Sequence, residues 1–460
     1  MPLWNGAVPW DGSRTWGFAD APPAVVAART LWDPAIGLRQ ACFQICAVDP
    51  VTWSWSAPLP LVIREGQRRS DIQEFRWRRE QLTWQVYDPT GRYLPGGDLE
   101  DVLQPNRLVA LQWIVQGGGV QQMYQGMVYR LVTTPERSLE QTGLAPFTYT
   151  AEDWLRRPLE QPAQAPEFGL VGLTPLTMAI LLKDQMLGQG SPVIGAADTW
   201  ATVTAAQLWY RSGGRVRVTG DWDSVRHPDV QVLLTGQGTD PLAVQVGQAQ
   251  LTWMTLINFL AWLSRTAIGY DPDGYIRLRE YGVRYDSGLV MQCEAPTDAV
   301  VRVPLEAPFV RQVTQPEFAA FELWRQEMVP SPPGMGGPAQ TLRVSFLASA
   351  VSTARDNPFI AGFSRTRAEI SQGGFASPVG SFTDVNSYTR YAQAVLQAQL
   401  AQADQIMARC DNAFPASDYL GDDVLVQLPP VAQGVYRLVS VQQPLTLQPL
   451  TMTLQWVEDR

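Results

Sequence analysis

The chain has 460 residues, 45% of them hydrophobic and 17% charged, with a formal net charge of -9. The length predicts about three domains, and the acidic balance, with Lys183 as the single lysine, lacks the clustered basic footprint of a sequence-specific nucleic-acid binder. The low charge suits a protein that buries much of its exterior in an assembly, since interface cores are depleted of charge; a β-rich protein with neutral loops would show the same balance.

Met1 to Gly6 carries neither a basic n-region nor an apolar h-region, so no signal peptide is expected and synthesis in a cytoplasm follows. Residues 1–40 are rich in Trp, Pro, Gly and Ala. Trp4, Trp10, Trp16, Phe18 and Trp32 sit there without a clear period. A free tail seldom carries so many aromatics, so the segment reads as an N-terminal arm that docks on its own body or on a neighbour, with plain core packing as the alternative.

Residues 41–160 read as a first β-domain. Phe43-Gln44-Ile45, Phe75-Arg76-Trp77-Arg78 and Leu82-Thr83-Trp84-Gln85-Val86-Tyr87 alternate apolar with polar, the two-residue period of a strand. Asp88-Pro89-Thr90-Gly91 is a turn signal. Leu108 to Val115 is a longer, more buried strand, Gly117-Gly118-Gly119 a hairpin tip, and Tyr124 to Tyr129 the next strand. Many short strands with regular turns predict a barrel or sandwich.

Pro158, Pro162 and Pro166 mark a linker into a middle α+β domain, residues 161–300. Helices are expected from Thr174 to Leu187 and from Thr252 to Arg265, then a strand from Tyr275 to Arg279. The apolar run Leu251–Leu263 is too short to span a bilayer. Residues 301–460 return to β pattern, with strands at Phe318–Trp324 and Leu342–Phe346 around a loop from Pro330 to Pro338. A long helix follows over Asn386–Ala408, with Tyr388, Tyr391, Val395, Leu396 and Leu400 at helical spacing. Its few charges suggest an outer face turned to a partner. Three strands close the chain: Asp423–Leu428, Gly434–Val441 and Thr451–Val457.

Catalytic chemistry is sparse. His227, the single histidine, lies in Arg226-His227-Pro228 and reads as an exposed loop residue. A Ser-His-Asp or Cys-His site would have to converge on it. Pro333-Gly334-Met335-Gly336-Gly337 opens no helix and lacks the context of a dinucleotide fingerprint. Asp271 and Asp273 resemble a calcium loop, but the glycine comes too early and a third ligand is missing, so a β-turn is expected. Asp422-Asp423 after Gly421 reads as a strand-opening turn rather than an acid pair. Cys42 and Cys46 have a C-x3-C spacing with no nearby second pair, so buried thiols are expected there and at Cys293 and Cys410. No catalytic, cofactor-binding or metal residue is assigned, and no cofactor is expected.

Several short patterns occur in a telling order. A strand runs into Val86-Tyr87-Asp88-Pro89-Thr90-Gly91-Arg92-Tyr93, then come Leu103-Gln104-Pro105-Asn106-Arg107-Leu108-Val109 and Tyr124-Gln125-Gly126-Met127-Val128. Later come Ile268 to Tyr275, Arg355-Asp356-Asn357-Pro358-Phe359, Gly421-Asp422-Asp423-Val424, Gly434 to Ser440 and Thr451 to Leu454. This succession is similar to bacteriophage tail and baseplate hub proteins, and it covers most of the chain after residue 40. In that family an Asn/Asp-x-x-Gly turn precedes a Leu-x-Pro-Gly-Arg entry and a Phe-x-Gly-x-Val strand; here Asn106 stands for the usual glycine and Tyr124 for the usual Phe.

The resemblance implies a mainly β protein with α+β insertions: two tail-tube-like β-barrel domains, 41–160 and 301–460, around the middle domain. It implies a structural, non-enzymatic hub in the virion, at the tail tip or baseplate. A homotrimer would offer six barrels to a six-fold tail tube and three-fold symmetry to a spike. Its partners would be a tail tube or distal tail protein, a spike or tip protein and a tape-measure protein. DNA would pass through the channel without specific binding, and no membrane span is implied. The competing readings are a tail-associated glycan or peptidoglycan hydrolase, which needs a carboxylate pair in a cleft, and a receptor-binding β-protein with an exposed Trp platform.

Overall fold

The computed structural model describes residues 40–50, 54–72, 79–87, 91–93, 96–117, 120–133, 147–154, 266–270, 275–280, 286–292, 301–302, 305–330, 340–352, 365–372 and 385–457. It also describes positions 156, 160, 217–218, 254 and 258. The chain is mainly β. Seven strands come first: β1 (Gln40–Val48), β2 (Trp55–Pro58), β3 (Val62–Asp71), β4 (Arg79–Tyr87), β5 (Leu108–Gly117), β6 (Val120–Thr133) and β7 (Phe147–Asp153). They pair in the order β2-β1-β5-β6-β7-β4-β3, each contact antiparallel.

Alternation explains these strands. Leu82, Trp84 and Val86 of β4 are buried, as are Val109, Leu111, Trp113 and Val115 of β5 and Phe147, Tyr149 and Ala151 of β7. Trp84 stacks on Tyr149 at 5.4 Å and Trp113 on Tyr124 at 5.7 Å. β5 and β3 are four strands apart in the order, roughly 19 Å in a flat sheet. Yet the Arg68 guanidinium of β3 lies 5.9 Å from the Trp113 ring centre of β5. The sheet therefore curls round its own core.

The expected entry to β5 has a backbone reason. Asn106 has φ 71°, and it is the one non-glycine with positive φ among the described residues. Glycine and asparagine tolerate that conformation best, so asparagine fits the turn. Its N–H donates to the Leu131 carbonyl at 2.8 Å.

In the middle of the chain, β8 (Arg217–Val218), β9 (Thr266–Tyr270) and β10 (Tyr275–Glu280) form a small sheet in the order β8-β10-β9. The expected strand at Tyr275 is β10. The expected helix 174–187 lies outside the described residues. Of the helix expected over Thr252–Arg265, only Met254 and Asn258 are described, both helical.

The last part contains β11 (Asp286–Gln292), β12 (Val301–Arg302), β13 (Leu305–Val313), β14 (Ala320–Pro330), β15 (Gln340–Val351) and β16 (Thr366–Gln372). Helix α1 (Val385–Ala403) follows, then β17 (Asp404–Cys410), β18 (Asp423–Leu428), β19 (Ala432–Pro444) and β20 (Leu450–Trp456). A second run of strands pairs as β12-β11-β18-β19-β20-β17-β13. It curls as well: Arg311 of β13 donates at 2.9 Å to the Val431 carbonyl at the start of β19, three strands away. This unit takes β11 from ahead of residue 300. The two units are not separate sheets, because β3 pairs with β19, giving one sheet of 14 strands. β14, β15 and β16 form a third sheet, in the order β15-β14-β16.

One expectation about the long helix is corrected. It ends at Ala403 rather than Ala408, and residues 404–410 form β17, paired on both sides by β13 and β20. Ile406 and Met407 fit a helical stripe by spacing. Two ladders, together with the inward positions of Asp404, Ile406, Ala408 and Cys410, favour the strand. The Ala403 carbonyl is capped from outside, by the Thr314 N–H at 2.7 Å. Along α1, Tyr391, Ala392, Ala394, Leu396, Gln397, Ala398, Leu400 and Ala401 are buried, while Gln393, Val395 and Gln399 are half-buried and Gln402 is exposed. The helix is wedged between the β14–β15 sheet and strands β17 and β20.

Candidate assembly surfaces

The strand that joins the two curled sheets has an unusual sequence. β3 reads VIREGQRRSD, and past Ile63, which packs on the core, its inward positions are Gly66, Arg68 and Ser70 instead of aliphatics. Gly66 is required by close approach: a Cβ there would lie 2.8 Å from Leu445 and 2.9 Å from the Thr83 carbonyl. The Leu445 N–H donates to the Gly66 carbonyl at 2.8 Å. Along the junction, the Ser440 hydroxyl donates to Asp71 at 2.5 Å and Gln67 to Gln442 at 3.3 Å.

Arg68 is fully buried. Its Nη1 donates to Ser417 at 2.6 Å and its Nε lies 3.6 Å from Glu80, to which the Tyr129 hydroxyl also donates at 3.4 Å. Burial works against its charge, yet Tyr129, Glu80 and Asp418 outweigh burial and hold the guanidinium pKa above its ordinary value. Ser417 and Asp418 belong to the C-terminal part of the chain, so one arginine ties both units together. A buried charge is tolerated only when paired and hydrogen-bonded: Glu80 of β4 supplies the charge, and the hydrogen bond from Nη1 to Ser417 lasts only while the junction stays closed.

Two more ion pairs, each with a buried carboxylate, fix the second unit. Arg437 of β19 grips Asp423 of β18 through Nε at 2.9 Å and Nη2 at 3.3 Å. Arg311 of β13 holds Asp404 of β17 at 2.9 and 2.6 Å, and the Tyr436 hydroxyl donates to Asp404 at 3.4 Å. The Asp404 hydrogen bond holds the Arg311 pKa up, while burial first, and then Asp404, push that of Tyr436 up. Both are bidentate arginine–carboxylate pairs, the geometry that fixes register as well as charge. Asp423, read in sequence as part of a strand-opening turn rather than an acid pair, is the first residue of β18 and is spent on structure.

The third sheet has two unlike faces. Phe321 and Leu323 of β14 and Ala348 and Ala350 of β15 pack under α1, with Phe321 edge-on to Tyr391 at 6.4 Å. On the other face Trp324 pairs across with Phe346 and Ile370, Gln326 with Val344, and Met328 with Leu342. Trp324 meets Phe346 edge to face at 5.2 Å. Leu342, Val344, Phe346, Val351 and Ile370 stay 49% to 65% exposed. Glu322 is the one charge among the described outward positions, and it accepts the Trp324 indole N–H at 3.2 Å. The strand expected at Leu342–Phe346 lies within β15, and its Leu342, Val344 and Phe346 face outward.

His227, Asp271, Asp273, Cys293 and the glycine run 333–337 lie outside the described residues. Cys42 and Cys46 both lie on β1, about 13 Å apart along the strand, too far to share one ion. Cys42 is exposed; Cys46 is buried, and burial pushes its thiol up to about 11. Cys410 is buried too. Among the described residues no helix is long and apolar enough to cross a membrane, and no His, Cys, Asp and Glu cluster could hold a metal.

No protein-family model and no curated protein sequence matches the chain. Among solved structures it is similar to a 43 kDa tail protein of prophage MuSo2 from Shewanella oneidensis. The identity is 10% and the TM-score 0.49, over 91% of this chain and 99% of that one. It is also similar to a tail protein from Neisseria meningitidis MC58, at 8% identity and TM-score 0.46, over 90% of this chain and 96% of that one. A third likeness is to a chain of the Francisella PdpA-VgrG complex, at 9% identity and TM-score 0.41, over 92% of this chain and 53% of that one.

Proposed function

We propose that this chain is a structural, non-enzymatic hub of a bacteriophage tail tip or baseplate. Three copies form a ring that adapts a six-fold tail tube to a three-fold spike and lines part of the DNA-ejection channel. The observation that carries the reading is the β3–β19 junction, at which two curled units from opposite ends of the chain pair edge to edge. A ring of six such units repeats that kind of contact between copies, and a closed ring requires a surface on each copy that meets a different surface on the next. The acidic balance of the chain suits a wall past which DNA slides, because it repels phosphate. The ordered motifs of the hub family support the same reading, with Asn106 keeping the left-handed turn where that family has glycine. Neighbours in the virion would be a tail tube or distal tail protein above, a spike or tip protein below and a tape-measure protein in the channel.

Native mass spectrometry of the assembled complex tests the copy number. Three chains of 51.0 kDa give 3 × 51.0 = 153 kDa. A stable monomer or dimer within the assembled tail would overturn the adaptor, since neither supplies six units around one axis.

A further inference from the structure

We propose that the outer face of the β14–β15–β16 sheet is the docking surface for the aromatic N-terminal segment of this chain, residues 1–39. The inference does not depend on the hub reading. Trp324, Leu342, Val344, Phe346, Val351 and Ile370 give this face an apolar patch on the order of 500 Å², the upper end of what soluble monomers leave open. A large apolar patch rimmed by polar groups marks an interaction site.

Area and symmetry argue against a second copy of the same face. Two such patches pressed together would bury about 1,000 Å² in total, below the range of stable interfaces. The contact would also be two-fold, because a surface that pairs with itself is isologous. A segment that leaves one body and lies on a separate surface has no such constraint.

Residues 1–39 have the matching chemistry. They contain Trp4, Trp10, Trp16, Phe18 and Trp32, and their charges balance: Asp11, Asp20 and Asp33 against Arg14, Arg29 and Arg39. A neutral, aromatic segment meets a face with the single charge Glu322 without stranding an ion. Alternate residues of an extended chain point to one side, so Trp16 and Phe18 can reach the patch together. Pro2, Pro9, Pro22, Pro23 and Pro34 lack the N–H a ladder needs. Side-chain contact with the face is therefore favoured over addition of a long strand to the β15 or β16 edge. Reach is not limiting: 39 extended residues span up to about 130 Å.

The test uses the full-length chain with p-benzoylphenylalanine in place of Phe346 and, in a second sample, of Ile370. After irradiation and proteolysis, mass spectrometry should find both positions joined to peptides from residues 1–39. Crosslinks confined to other segments, or none within the protein, would overturn the proposal. As a second readout, the full-length Trp10→Ser/Trp16→Ser/Phe18→Ser variant should bind the apolar dye bis-ANS several-fold more strongly, and adding Phe346→Ser and Ile370→Ser should remove the gain. Unchanged dye binding in the triple variant would also sink the idea.

Discussion

Replacing Arg68 by Ala should loosen the seam between the two curled sheets. The guanidinium is buried, 2.6 Å from Ser417 and 3.6 Å from Glu80. Its removal leaves the buried Glu80 carboxylate facing a void against Trp113 where a cation had been. Breaking one partner of a buried pair costs about 3–5 kcal/mol. Hydrogen exchange reads this locally, since tenfold in an opening equilibrium is about 1.4 kcal/mol. The β19 amides from Ser440 to Gln443, which lie opposite β3, should exchange roughly 100- to 1,000-fold faster or more. The double variant Arg68→Met/Glu80→Gln removes both charges and keeps most of the volume, so it should regain most of the loss. The reasoning is refuted if Arg68→Ala accelerates exchange less than about fivefold, or if the two substitutions add without coupling.

Two other perturbations follow. Asn106→Val should destabilise the entry to β5 by about 1–2 kcal/mol, because a β-branched residue is strained at φ 71°, whereas Asn106→Gly should be neutral within about 0.5 kcal/mol; urea midpoints distinguish them, and equal losses in both variants would contradict the turn argument. Stability should also fall with rising pH from about pH 9. Burial lifts the Cys46 thiol from 9.0 to about 11 and is the first cause of the Tyr419 phenol rising from 10.0 to about 12. Below pH 9 both folded and unfolded chains keep these protons, so the stabilisation is fully present. Above it the unfolded chain releases them first, and each group then costs up to about 1.4 kcal/mol per pH unit until its folded pKa is passed. Melting temperatures measured from pH 7 to 11 check the sign, and Cys46→Ala should flatten the first part of the decline.

Much of the fold is legible in the sequence wherever one sheet face is apolar and the other polar. β4, β5, β18, β19 and β20 fall at or within a few residues of their expected places, because Leu82-x-Trp84-x-Val86 and its counterparts leave one register open. β3 is not legible. Past Ile63 its inward positions are Gly66, Arg68 and Ser70, and the partners that make them acceptable, Glu80 and Ser417, stand 12 and 349 positions away in the chain. β16 is not legible either: TRAEISQ has one large apolar residue, Ile370, and that residue is exposed. The end of α1 lies earlier than expected because Ile406 and Met407 continue the helical spacing, whereas in β17 Ile406 points inward and Met407 outward; the decision rests on Arg311 and the two flanking ladders. The outer face of the third sheet shows the same limit from the other side: alternation gives two faces and does not say which one has a neighbour.

Edge management narrows how copies of this chain could meet. A sheet of 14 strands has free rims, and long flat rims invite uncontrolled pairing. Here β19 covers the β3 edge, β2 has four residues and ends at Pro58, and β12 has two. Each of these devices shortens or blocks an edge. β13 differs. It has nine residues, it pairs with β17 alone among the described residues, and Val310 on it is half exposed. It is anchored by Arg311 to Asp404 and to the Val431 carbonyl, so it is held in place, and among the described strands none pairs with its second side. In the proposed ring β13 is therefore the strand long and rigid enough to carry an edge contact between copies, as β3 and β19 do within one copy.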